Sequence, residues 1–298
     1  MTLIEIREAN FKRYLPETLA ECTMQQYIDM CELIMKYQYG EISFFDLKVA
    51  AFHKLLGLKS TKSKTGNEEV KNANIAQHCD LIDSFFTLSD DGPILKQDYI
   101  HNPVPKQKVL LTTLHGTSDS FQNMTFGEYT DGLRMIHDFR ATGDGNILFL
   151  LTSIFYRKKK SFLFIKKLMQ NYNNDVRIPY NSNMLEKTAK KLKFAPIGFV
   201  YGFYLLFTSL QKYLVEAKIL WGGNEIDLSI LFEQSEQSSS LDIPSIGMDS
   251  IAFTMAESGT FGTLEKVRKT NFWEIIIRMY DLRRADIESK KQYDAANK

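Results

Sequence analysis

Residues 123–160 read NMTFGEYTDGLRMIHDFRATGDGNILFLLTSIFYRKKK and leave the chain little local freedom: a helix start, an acidic glycine turn and a second, more apolar helix follow one another. Thr125 and Glu128 have the capping-box spacing, in which the threonine hydroxyl accepts from the N3 amide and the glutamate reaches back to the N-cap amide. Tyr129, Leu133, Ile136 and Phe139 then recur at helical spacing, so one face is apolar. Gly143, Asp144, Gly145 and Asn146 tolerate positive φ and local side-chain turns, which predicts a stop and a second helix over 147–156. The pair is a helical hairpin. Twenty-one Phe, fourteen Tyr and only seven Pro in 298 residues extend that reading to the whole chain: mainly α, helical hairpins around an aromatic-rich core, little β.

The hairpin has an echo about 102 residues earlier. Thr23 and Gln26 repeat the capping-box spacing, and Tyr27, Met30, Cys31, Ile34, Met35 and Gln38 recur at three and four; after Gly40 and Glu41, residues 44–56 form a second apolar helix. Thr23, Tyr27, Asp29 and Ile34 align with Thr125, Tyr129, Asp131 and Ile136. With one residue inserted, Leu47, Phe52 and Lys54 meet Leu150, Phe155 and Arg157. Two sources account for such a likeness: an internal helix-loop-helix duplication, or two capping boxes ahead of two amphipathic hairpins.

The rest of the chain divides into regions 1–105, 106–232 and 233–298, which one compact domain would also accommodate. Leu3, Ile4, Ile6, Phe11 and Tyr14 read as a short strand or an arm ended by Pro16. Residues 59–74, almost without apolar side chains, predict a mobile surface loop. Residues 75–88 read as a helix with Ile75, Cys79, Ile82 and Phe86 on one face. Asp90, Asp91, Gly92 and Pro93 make a turn, Pro103 and Pro105 keep the following run extended, and 108–113 is a strand or an extended docking segment. Residues 194–210 carry no charge over 17 positions but include Pro196 and two glycines and run on into QKYLVEAKILW. That is at the lower limit for a membrane span, and a buried core helix is the preferred reading. Residues 233–244 are a polar linker, and helices follow over 250–257 and from Thr263 through Leu282, with a polar tail.

Total charge is +1, so no whole-chain electrostatic argument for nucleic acid or membrane exists. Residues 157–193, however, hold eleven Lys or Arg against Asp175 and Glu186, a net of about +9 that leaves about −8 for the remainder. Arg157, Lys158, Lys159, Lys160, Lys166, Lys167, Lys190, Lys191 and Lys193 are therefore the candidate residues for an anionic partner, interleaved with Phe162, Phe164, Tyr172 and Tyr180. A solvated face offsetting acidic neighbours is the competing explanation, and Arg157 to Lys160 would also complement the dipole of the preceding helix.

Signatures of chemistry are missing from the sequence. It has no Gly-rich phosphate loop and no G-x-S-x-G elbow. His115 near Ser118, Asp119 and Ser120 reads as a polar turn. His78 and Cys79 with Asp80 and Asp83 lack ligand spacing, and Asp144 with Asn146 starts a calcium loop that Phe149 then breaks. No catalytic residue, cofactor site or metal site is assigned. Cys22, Cys31 and Cys79 are an odd set without paired spacing, which suits free thiols in a reducing compartment, and the opening residues show no secretory pattern.

Three stretches, LPETLAECTMQQY, MTFGEYTDGLRMIHDF followed by a helix ending in Tyr156 and Arg157, and MAESGTFGTLEKVRKTNFWEIIIRM, resemble pieces of tail-assembly or tail-associated proteins of tailed phages of Bacteroidetes hosts. They cover about a third of the chain and are cap-plus-helix patterns, so no functional residue carries across. The resemblance implies a non-enzymatic role in phage morphogenesis, as a tail assembly chaperone or adaptor or as a neck or tail structural protein. It further implies other phage structural or assembly proteins as partners, a homo-oligomer, and residence in the host cytoplasm or the assembled virion. Nucleic acid contact through the basic segment fits that picture. A membrane-associated protein using residues 194–210 beside the basic run is the alternative.

Overall fold

The uncharged stretch is the axis of the molecule. In a computed structural model that describes residues 1–6, 11–58, 78–90, 92–162, 175–216, 218–231 and 245–296, it forms α6 (Ile197–Glu216), most of whose residues are buried. A helix apolar on every side is stable only where protein surrounds it. Among the described residues no helix is long and apolar enough to cross a membrane, and the segment weighed above as a membrane contact is spent on the core. Its two glycines admit another helix: α1 (Met24–Gln38) crosses so closely that a Cβ at Gly202 would lie 2.7 Å from the Tyr27 ring. Its polar residues are turned to account as well. Ser209 Oγ donates to Gln97 O (2.8 Å) and accepts from Tyr99 N (3.2 Å), which anchors the extended run ahead of Pro105 along α6.

Both predicted hairpins form. The first is α1 with α2 (Phe44–Leu56), the second α3 (Phe126–Thr142) with α4 (Asn146–Phe155). Thr23, Ser43 and Thr125 each make a full capping box, and α3 stops at Gly143 in the left-handed region (φ 68°). Each hairpin sends a tyrosine to the axis: Tyr27 OH donates to Gly202 O (2.7 Å), and Tyr129 OH donates to Gln211 Oε1 (3.0 Å). Phe155 packs against Phe203 (4.9 Å) and Phe207 (5.0 Å), and Tyr156 against Phe199 (4.7 Å), so the aromatic-rich core runs along α6. The buried core is continuous from Leu15 to Ile276.

The fold is helix-dominated but not all-α, because small antiparallel sheets stud its surface. At the N-terminus β1 (Thr2–Ile6) pairs with β2 (Phe11–Leu15), which makes the expected strand or arm a hairpin. Of the helix expected over 75–88, the described part keeps only His78 and Cys79 in α-helical form. Residues Asp80–Phe85 form a 3-10 turn and Phe86 begins β3 (Phe86–Ser89), paired with β4 (Gly92–Leu95). Asp80 and Asp83 are drawn to Lys48 Nζ on α2 (2.5 and 3.3 Å), and the Phe86 ring stands edge-on to Phe44, contacts that an α-helical continuation would break. Next, β5 (Lys106–Val109), β6 (Thr112–His115) and β7 (Arg157–Lys158) form a three-stranded sheet.

Two further expectations are corrected. The amphipathic continuation of α6 stops at Glu216, and β8 (Lys218–Trp221) turns at Gly222 and Gly223 to pair with β9 (Asn224–Asp227). Both glycines have positive φ (57° and 85°), the turn chemistry that favours a tight hairpin over a longer helix. After α7 (Ser245–Glu257), the long C-terminal helix is broken into α8 (Leu264–Lys269) and α9 (Phe272–Ala296). Thr270 O accepts from Phe126 N and Phe272 N donates to Met124 O (both 2.9 Å), so the backbone needed to continue the helix is used to hold the start of α3. Short α5 (Leu185–Leu192) packs on α4. The expected loop 59–74 and linker 233–244 lie outside the described residues.

Candidate functional site

The basic segment begins where α4 ends, and its first member turns inward. Arg157 is buried, and its Nη1 donates to the fully buried carboxylate of Glu128 and to Ile154 O, while Nε donates to Ile178 O (2.8 Å). Glu128 is the N3 residue of the capping box: one oxygen accepts from Thr125 N (2.7 Å), the other takes the guanidinium. Arg177, also fully buried, grips Asp175 bidentately (Nε–Oδ1 2.9 Å, Nη2–Oδ2 3.0 Å) and donates to Phe155 O and Asn123 O (2.9 Å each). Beside them Asp131 accepts from Tyr180 OH (2.6 Å) and from Arg268 Nη2 on α8 (2.7 Å).

Two buried guanidiniums, Arg157 and Arg177, thus meet Glu128 and Asp175, while Asp131 is held by the partly exposed Arg268 and, at 3.7 Å, by Arg134. Burial pulls the Arg157 pKa down, opposed by Glu128. Burial acts the same way on Arg177, but Glu128 and Asp175 outweigh it and the net shift is upward. Burial, then the bond to Asp131, pushes the Tyr180 hydroxyl well above its ordinary value. Such a cluster is a clamp joining α3, the end of α4, residues 175–180 and α8; removing Glu128, Arg157, Asp175 or Arg177 strands a buried charge.

The remaining described candidates lie on separate elements. Lys158 and Lys159 are exposed on and just after β7, and Lys160 donates to Asp175 O (2.7 Å). Lys190, Lys191 and Lys193 sit at the end of α5. Lys193 is close enough to Asp144 to lower its pKa further, after the Asn146 hydrogen bonds that chiefly do so. That places it near the start of α4, about 15 Å of helix away from Lys158. Lys166 and Lys167 lie outside the described residues. Among the described residues the basic charge is therefore divided between the two ends of α4, and Arg157 contributes none of it to the surface.

Sequence features that resemble chemistry are occupied by structure. Asp119 Oδ1 accepts from Asn102 N (2.9 Å), Ser118 and Asn123 bond reciprocally, and Trp273 Nε1 donates to Ser120 O (2.9 Å). His115 lies apart on β6, its pKa lowered by burial and then by Lys106 and Lys159. Asp144 Oδ1 accepts from Asn146 N (2.9 Å), a local turn. His78 stacks on Phe52, and no group of three His, Cys, Asp or Glu among the described residues is placed to hold a metal. A cleft of about 150 Å³ lined by Gln38, Gln97, Arg140, Tyr204, Thr208 and Gln211 is smaller than the 300–1,000 Å³ usual for organic ligands.

Sequence reasoning missed Glu128 and Arg177 as a buried pair. The capping box located Glu128, but nothing local signals that its second oxygen meets residues 29 and 49 positions away. No protein-family model, curated protein or solved structure matches this chain.

Proposed function

We propose that the chain is a non-enzymatic, protein-binding component of tailed-phage morphogenesis, an assembly chaperone or adaptor or a neck or tail structural protein. The supporting observation is where its exposed apolar side chains lie. Leu88 and Ile94 are exposed on the β3–β4 hairpin, and Leu220 and Trp221 are exposed beside the turn of the β8–β9 hairpin, both of them short two-stranded ribbons. Apolar groups so exposed cost solubility and are retained where another protein covers them. The interior charges neutralise one another, so the chemistry on offer is surface complementarity.

The two hairpins that each deliver a tyrosine to α6 support an internal duplication as the origin of this architecture. The test of the function is light scattering of the purified protein over a concentration and salt series, followed by photo-cross-linking from position 221 in its native lysate. A discrete oligomer, or a monomer that cross-links to one virion protein, supports the reading. A monomer with no captured partner refutes it.

A further inference from the structure

The β5–β6 hairpin breaks the usual rule for its turn. Val109 pairs with Thr112, so the loop is Leu110-Leu111, two residues where Asn, Asp or Gly would be expected. Leu110 adopts φ 53°, a conformation unfavourable for a branched side chain, and is 59% exposed; Leu111 is fully exposed. The β8–β9 hairpin meets the same backbone requirement with Gly222 and Gly223. At the Leu110-Leu111 tip strain and exposed apolar surface are combined, which marks a functional position.

The charge carried by the hairpin and by β7 has one sign. Residues 106–115 and 157–160 contain no Asp or Glu. Lys106, Lys108, Lys158 and Lys159 are exposed, and none of them forms an ion pair among the described residues. By strand rise, Lys108 stands about 7 Å behind Leu110 and Lys106 about 13 Å behind. His115 joins them as a neutral group, its proton affinity reduced by burial and by Lys106 and Lys159. Because β7 runs antiparallel to β6, the chain leaves it through Lys159 heading toward the tip.

We infer that this hairpin is a docking site for an anionic phospholipid bilayer, with Leu110 and Leu111 entering the headgroup–acyl boundary and the lysines resting at the phosphate level. An apolar element inserts about 5–10 Å in such binding, which matches the spacing between the tip and Lys108. The three strands carry no Phe, Tyr or Trp and a single imidazole, half-buried His115, so they offer no row of rings for successive bases of a nucleic acid strand. A two-residue tip also buries far less than the roughly 800 Å² per partner of a standard protein interface. A bilayer needs neither.

The test is flotation of the full chain with vesicles of phosphatidylcholine alone and of phosphatidylcholine with phosphatidylserine, at low and high salt, beside a double-stranded DNA binding assay. The expected result is flotation with the anionic vesicles only, weakened by salt. Each of Lys106, Lys108, Lys158 and Lys159 changed to Gln should weaken it by about fivefold. The double change Leu110→Gly with Leu111→Ser should cost tenfold or more in vesicle binding, by an order-of-magnitude count of two partly inserted leucines. It should leave the melting temperature unchanged or raised, because glycine suits the positive φ. Three results would overturn the assignment: no flotation with anionic vesicles, undiminished flotation of the Leu110→Gly, Leu111→Ser variant, or binding of DNA in place of vesicles.

Discussion

Gly198 on α6 sets how closely the first hairpin can approach the axis, and replacing it by alanine separates two opposing effects. In an isolated helix the change would stabilise by about 0.8–1.0 kcal/mol. Here the new Cβ would overlap the Ile28 carbonyl oxygen of α1 and lie 2.9 Å from Glu32 N and 3.0 Å from Glu32 Cβ. Those neighbours are helix backbone and cannot swing aside, so α1 and α6 must separate, at about 1–3 kcal/mol for overpacking. Separation also stretches the Tyr27 hydroxyl bonds to Gly202 O and Tyr99 OH, both 2.7 Å, which adds about 1 kcal/mol. The net expectation is a loss of about 1–3 kcal/mol, or about 2–12 °C in Tm at roughly 2–4 °C per kcal/mol. Thermal unfolding followed by circular dichroism measures it, with Gly145→Ala as control, since a Cβ there meets nothing and φ is −56°. A Gly198→Ala protein that melts at or above the parent temperature would refute the close-packing argument.

Glu128→Gln leaves Arg157 and Arg177 short of a charge in the interior and should cost about 3–5 kcal/mol in urea unfolding; changing Lys158 and Lys159 to Glu should stay within about 0.5 kcal/mol. Since the His115 pKa is lowered on folding, the unfolded chain binds the extra proton first. Stability should therefore fall as pH drops through the ordinary histidine value of 6.5, and a His115→Asn protein should show a flatter slope there. The Cys22 thiol, pushed up to about 12 by burial and then by Glu21, and the Cys31 thiol, also raised by burial, should label with iodoacetamide only as fast as the protein opens. Rapid labelling under native conditions would contradict their burial.

What the sequence determined by itself is whatever depends on neighbours within one or two turns. Thr23, Ser43 and Thr125 started helices because a capping box closes within four residues, and Gly143 stopped α3 because only its own φ had to change. The absence of charge over 194–210 sufficed to place α6 inside. Tertiary structure decided everything that depends on a distant partner. Residues 80–85 had the composition of a helix, but Lys48 on α2 holds their carboxylates in a 3-10 turn. The long C-terminal helix had an unbroken pattern, but pairing of Thr270 and Phe272 with the start of α3 divides it. Arg157 belonged by sequence to a basic run, yet burial beside Glu128 costs less than leaving that carboxylate unpaired, and so it faces inward while Lys158 faces water. Charge and periodicity are properties of a segment, whereas which side of a strand or helix meets a counter-charge is settled only when the far segment arrives.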